Sequence, residues 1–259
     1  MTNPAPFAND DLALACRLAR EAGERLLSLQ QQSALVAKAL GDEADRLANE
    51  YLLAELARER AHDAVLSEEA IDNRKRLSQS RVWIIDPLDG TREFRELRDD
   101  WAVHVALAEA GVVTHAAVAM PARGELFASE TSVSRRVQEM LQVPRRVVIS
   151  RSRPPAFAER VAAALDASLV QVGSAGAKAM MVVRGDALAY VHSGGMNEWD
   201  AAAPVGVALA HGLHVSTLAN QPIRFNQSDV VLHEGLVVCR TECVAAIMDA
   251  LADIGSERS

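Results

Sequence analysis

The sequence predicts a mixed αβ protein in two parts, an α+β first half and an α/β second half. Two observations carry this. Apolar residues recur at helical spacing through the first sixty residues, then give way to short strand-like runs joined by turns, the pattern of an antiparallel meander. From about residue 146, strand-like and helix-like stretches alternate instead. The division is therefore placed at 1–145 and 146–259.

Each element has its own signal. Leu12, Ala15, Cys16, Ala19, Gly23, Leu26 and Leu27 mark a helix over 10–31. Ala44, Leu47, Ala48, Tyr51, Leu52 and Leu56 mark a second over 42–60, with Asp42 as its expected N-cap. "DAVLSEEA" and "RVWIID" read as strands ending in acids, the second stopping at Asp86. "WAVHVALAEAGVVTHAAVAM" is two strands around a Glu-Ala-Gly turn, and "PARGELFASE" leads into another. In the second half, "RRVVIS", "SLVQV", "ALAYVH" and "LVVC" are strands. Helices are expected from about 156, after Gly173-Ser174, from Asp200 to Gly212, and from about 242.

Composition bounds the function. A net charge of −8 is unsuited to a nucleic-acid polymer, which calls for clustered Lys and Arg. A small anionic substrate remains compatible, because bound cations reverse local charge. No signal peptide is evident, and no apolar run is long enough to span a membrane. Three cysteines without a framework (Cys16, Cys239, Cys243) read as reduced core thiols of a cytoplasmic protein.

The chemistry gathers at "WIIDPLDGT". Two strands end in acids, and strand ends adjacent in one sheet bring Glu68, Asp86 and Asp89 together. Carboxylates a few ångströms apart repel unless one is protonated or a cation lies between them. Oxygen-only donors, with no cysteine and no obvious histidine, suit Mg²⁺ or Mn²⁺ rather than zinc. Pro87 fixes a bend that lets the Leu88 carbonyl point with the two acids, Gly90 permits a tight turn, and Thr91 returns a hydroxyl. "DPLDG" alone reads equally well as a turn. "SEE" upstream and an Asp-led helix downstream favour the metal site.

"WIIDPLDGT" together with "WDAAAPVG" resembles the two signatures of the inositol monophosphatase superfamily, and the likeness covers nearly the whole chain. It implies a five-layered αβαβα sandwich and a Mg²⁺-dependent, lithium-sensitive phosphomonoesterase carrying two or three Mg²⁺, with Mn²⁺ as a substitute. The matching ligands are Glu68, Asp86, the Leu88 carbonyl, Asp89 and Asp200. The water-activating residues that match are Glu68 and the Thr91–Asp45 pair, although Asp45 on its own reads as a solvated helix acid and Asp200 as an N-cap. Water attacks directly, and the Gly90 and Thr91 amides hold phosphoryl oxygens. The acid spacing is unlike that of haloacid-dehalogenase-type phosphatases, which disfavours an aspartyl-phosphate. Family members often dimerise, so a homodimer is implied.

Within the superfamily, "SRSR" (Ser150, Arg151, Ser152, Arg153) and "DGTREF" look most like the bacterial 3′(2′),5′-bisphosphate nucleotidases of the CysQ group. The first stretch reads either as a second-phosphate cradle or as a polar loop before Pro154-Pro155. Gly173, Ser174 and Lys178 at a helix start are further candidate substrate contacts. His192 and two glycines stand where inositol monophosphatases carry a sugar-contacting Glu. The expected substrate is adenosine 3′,5′-bisphosphate or its sulfated form, a small phosphorylated molecule. The alternatives are an inositol or sugar-phosphate phosphatase, and a non-catalytic metal or nucleotide binder. "RFNQ" (Arg224 to Gln227) offers an arginine to a phosphate or is an exposed turn. Asp89→Asn is expected to cut turnover with little loss of fold.

Overall fold

A computed structural model describes residues 8–35, 37–130 and 143–256. Two long helices, α1 (Ala8–Gln32) and α2 (Ala37–Glu59), open the chain. Helix α2 starts five residues ahead of the expected boundary, so Asp42 lies inside it rather than capping it. There Asp42 pairs with Lys38 one turn back and with Arg95, which explains an acid in that position.

The first sheet has the order β1-β2-β3-β4-β5: Ala64–Ser67, Arg81–Asp89, Ala102–Glu109, Val112–Met120 and Glu125–Ala128. It is the expected antiparallel meander except at its edge, where β1 runs parallel to β2. A short α3 (Thr91–Arg95) follows β2. The second sheet has the order β10-β12-β8-β6-β7, with β6 (Arg146–Ser150), β7 (Ser168–Val172) and β8 (Ala189–His192) mutually parallel. Its antiparallel side is β12 (Leu236–Cys239) and β10 (His214–Ser216). A two-stranded ribbon, β9 (Met196–Asn197) with β11 (Val231–Leu232), was not legible in the sequence. The remaining helices are α4 (Ala158–Ala164), α5 (Ala175–Arg184), α6 (Glu198–Ala210) and α7 (Val244–Ser256).

Side-chain alternation explains the stacking. On β2, Trp83 and Ile85 face α1 and α2, while Val82 and Ile84 face α5 and α6. On the second sheet, Val148, Tyr190 and Val238 join that same inner core, while Val147, Val191 and Val237 face α4 and α7. Both faces of both sheets are covered, so their strands read as apolar runs. The layers are α1/α2, first sheet, α5/α6, second sheet and α4/α7: the five-layered αβαβα sandwich. Cys239 and Cys243 are buried in the outer core, and all three cysteines are free thiols. Among the described residues, no helix is long and apolar enough to cross a membrane.

Candidate metal and phosphate site

The β1/β2 register pairs Leu66 with Ile84, so Glu68 follows alongside Asp86, and the Glu68 amide donates to the Ile85 carbonyl at 3.4 Å. Asp86 continues the inward face of Val82 and Ile84. Contrary to expectation, β2 does not stop there but runs on through Pro87 to Asp89. Opposite Asp86 stands His104, and opposite Asp89 stands Ala102, so three steps on β2 face two on β3. The extra residue is a bulge, which accommodates a proline lacking an N–H. It also resets the side-chain alternation. Residues three apart in a regular strand point to opposite faces, whereas here both carboxylates face α5 and α6.

The α6 side completes the cluster. Helix α6 begins at Glu198, two residues before the expected start, with Asn197 as its N-cap. Asp200 is the third helical residue and closes a capping box, accepting from the Asn197 amide at 2.7 Å. Pro204 removes the amide that would bond the Asp200 carbonyl. Carboxylate oxygens of Asp86, Asp89 and Asp200 lie within 4.8 Å of one another.

The electrostatics are those of a cation site. Asp86 is 0 % exposed; Oδ1 accepts the Leu88 amide at 3.0 Å, and Oδ2 has no hydrogen-bond partner among the described residues. Burial first, then Glu68, Asp89 and Asp200, push the Asp86 carboxyl well above its usual range. Burial and Asp89 raise Asp200 to about 6. Glu68, at the mouth of a 570 Å³ cleft, is raised to about 7 by desolvation and then by Asp200. Burial alone would also raise Asp89, but the neighbouring His104 imidazole, Lys178 and the Ser174 hydroxyl bring it down to about 2. An orphaned buried oxygen within a set of mutually repelling oxygen donors fits a hard divalent cation.

Asp89 is also a joint between the halves. It accepts from the Ala175 and Gly176 amides at 3.1 and 2.6 Å, at the start of α5, and from the Ser174 hydroxyl. Ser174 in turn caps α5 by accepting the Ala177 amide. On the other side, Gly90 turns the chain at φ 92° into α3, where the Gly90 and Thr91 amides have no intrahelical acceptor. The Thr91 hydroxyl lies 3.2 Å from the Leu88 carbonyl and 3.5 Å from Asp45 Oδ1. Desolvation, then Glu69, raises Asp45 to about 7.

The candidate substrate contacts separate into two groups. Arg151 is committed to Glu93 at 2.8 Å and Asp100 at 2.6 Å, and Asp100 also accepts the Gly173 amide. Lys178 is 3 % exposed and turned onto the Gly173 and Ser174 carbonyls. Arg153 is exposed and pairs with no carboxylate among the described residues; its backbone amide donates to Ser150 Oγ. Arg224 is an exposed residue of its turn.

One histidine was missed, and His192 was noted only as standing in place of a Glu. His104, 0 % exposed, sets Nε2 3.2 Å from Asp89 Oδ2 and Nδ1 3.1 Å from the Trp199 carbonyl. Its signal was its place opposite Asp86 in the β2/β3 register, and the unforeseen bulge obscured its approach to Asp89. His192 ends β8 beside Ser150 at the end of β6, given the Val148–Tyr190 register. The Gly194 amide donates to His192 Nδ1 at 3.1 Å, so Nε2 carries the hydrogen. Burial, Lys178 and Arg153 lower its pKa to about 4. Adjacent carboxyl ends of parallel strands form the crevice where open α/β sheets bind ligands.

A sequence profile described as the inositol monophosphatase family matches residues 9–253. The chain belongs to the inositol monophosphatase family. It is similar to a protein of Mycobacterium leprae named 3′-phosphoadenosine 5′-phosphate phosphatase, with 47 % identity over 94 % of each chain. It is 30 % identical to the 3′(2′),5′-bisphosphate nucleotidase CysQ of Escherichia coli, over 86 % of this chain and 97 % of that one. Among solved structures, CysQ from Bacteroides thetaiotaomicron superposes with a TM-score of 0.75 at 26 % identity, over 91 % of this chain and 98 % of that one.

Proposed function

We propose that this family member is a metal-dependent phosphomonoesterase that removes the 3′-phosphate from adenosine 3′,5′-bisphosphate or from its sulfated form. The observation that carries it is the trio Asp86, Asp89 and Asp200, with its orphaned buried oxygen, in a chain closely similar to a 3′-phosphoadenosine 5′-phosphate phosphatase. Asp86, Asp89 and Asp200, joined by Glu68 and the Leu88 carbonyl, would hold Mg²⁺, with Mn²⁺ able to replace it. When bound, the cation supplies charge neutralisation and a water of lowered pKa.

The chain's own groups supply the rest. Glu68 orients the attacking water at the cleft mouth. Thr91 takes a proton from that water at Oγ1 as its own proton passes to Asp45 Oδ1, a carboxylate whose pKa near 7 suits a base at neutral pH. The Gly90 and Thr91 amides face the phosphoryl oxygens. Ser150, Arg153 and the His192 Nε2–H bind the distal phosphate in the crevice. Arg151 and Lys178 support the Gly173–Ser174 turn from behind.

The test is phosphate release with Mg²⁺ from adenosine 3′,5′-bisphosphate, inositol 1-phosphate and fructose 1,6-bisphosphate under one set of conditions. A clear preference for the nucleotide is expected. Preference for inositol phosphate would overturn the substrate, and no release from any of them, with Mg²⁺ or Mn²⁺, would overturn the enzyme assignment.

A further inference from the structure

The cleft beside Glu68 has two walls. One is the segment after β1, with Glu68, Ala70, Asp72 and Arg74; the other is Ser228, Asp229 and Val230, with Trp199. Arg76 bolts them together from below. It is 2 % exposed, and its guanidinium divides its donors between the walls. Nε and Nη2 reach Asp72 Oδ2 at 3.1 and 2.9 Å, while Nη1 reaches Asn226 Oδ1 at 2.8 Å and the Gln227 carbonyl at 2.9 Å. Asn226 holds a left-handed φ of 59° and returns its side-chain amide to the Arg76 carbonyl at 3.1 Å.

The far end of this clamp is the start of α6. The Asn226 and Gln227 amides donate to the two oxygens of Glu198 at 2.6 and 2.7 Å. Glu198 is 0 % exposed and stands two residues before Asp200. A continuous chain of hydrogen bonds therefore runs from the segment bearing Glu68 to the helix turn bearing Asp200, through no member of the carboxylate cluster. Only a planar fork of donors can serve three acceptors in two directions, which a lysine ammonium cannot reproduce in a rigid geometry.

We propose that Arg76 and Asn226 are positioning residues that fix the separation of Glu68 from Asp200 and thereby set the cluster's affinity for a divalent cation. This rests on the metal reading above. The clamp acts before any substrate binds, so its effect is read on the cation alone.

The experiment is Mn²⁺ binding to metal-free protein, followed by the electron paramagnetic resonance signal of free Mn²⁺, for wild type, Arg76→Lys and Asn226→Gly. Thermal unfolding is recorded alongside. Glycine keeps the left-handed backbone, so Asn226→Gly removes the side-chain link without strain. Both variants are expected to bind Mn²⁺ about 10-fold more weakly, the scale seen when supports of ligands are lost. Variants that unfold earlier yet bind Mn²⁺ as tightly as wild type would overturn the proposal, leaving a purely structural clamp. A wild type that takes up no Mn²⁺ would overturn the metal reading and the clamp's role with it.

Discussion

Gly176 lies against the imidazole of His104: a Cβ at 176 would stand 2.2 Å from Nε2. The start of α5 can present its amides to Asp89 only because that position carries no side chain. Gly176→Ala is expected to destabilise the fold by about 1–3 kcal/mol, the range for overpacking a core. In a His104→Ala background the same change should cost distinctly less, because the nearest obstacle is gone and only the 3.1 Å approach to the Ala102 Cβ remains. A urea-denaturation double-mutant cycle measures this; additive costs would contradict the contact.

Asp89→Asn should do more than reduce turnover. The expectation of little loss of fold does not survive the structure. The carboxylate accepts two amides and a hydroxyl from the other half of the chain and faces His104. An amide turns a donor toward some of those donors. The expected loss is about 1–3 kcal/mol. At roughly 2–4 °C per kcal/mol for a chain of this size, it is visible in a thermal scan of the metal-free protein. An unchanged Tm would refute the joint.

The Asp45 carboxyl gives a pH prediction with a definite sign. Its pKa rises from 3.8 to about 7, so the folded protein binds this proton more tightly than the unfolded chain. The stabilisation it contributes is full below the unfolded value and lost as pH rises through 7. Asp45→Asn should therefore raise the Tm of the metal-free protein at pH 8 and leave it unchanged below pH 4. In turnover, the wild type should lose activity below pH 7 as the base is protonated, and the variant should lack that limb. An identical acid limb in the variant would remove Asp45 from proton transfer.

The sequence made the two layers of strands and the main acids legible because both depend on local patterns: apolar alternation, and acids placed at strand ends. The bulge was not legible. "DPLD" contains a proline, which reads as a strand stop, and only pairing against His104 and Ala102 shows that the strand continues. His104 stayed hidden for the same reason, as one histidine within an apolar run. Asp42 and Asp200 both looked like helix caps. Their true places, inside α2 and at the third position of α6, are set by Lys38 and Arg95 in one case and by Asn197 in the other. Arg76 carried no signal of its clamp, since Asp72 is a local partner and Asn226 and Gln227 lie 150 and 151 residues away.

Arg151 separates a support from a substrate contact. With Glu93 and Asp100 as its partners, Arg151→Ala takes the ion pair from buried Glu93 and leaves Asp100 with Arg98 alone, and should destabilise the protein by about 1–3 kcal/mol. The KM for the nucleotide should change little, whereas Arg153→Ala, with no carboxylate to abandon among the described residues, should raise KM and spare stability. Steady-state kinetics and melting curves on the pair decide it, and the opposite pattern would exchange the two roles.

The central layer has a consequence for biosynthesis. Helices α5 and α6 cover the inner face of a sheet completed by Ala128, yet α6 ends only at Ala210. During translation, the first sheet emerges with one apolar face bare and waits for roughly fifty further residues before α5, and roughly eighty before α6, can cover it. Such long-range closure is slow and leaves sticky intermediates. A nascent chain stalled before Glu198 should therefore be a strong chaperone client, and release from that dependence should coincide with the arrival of Asp200.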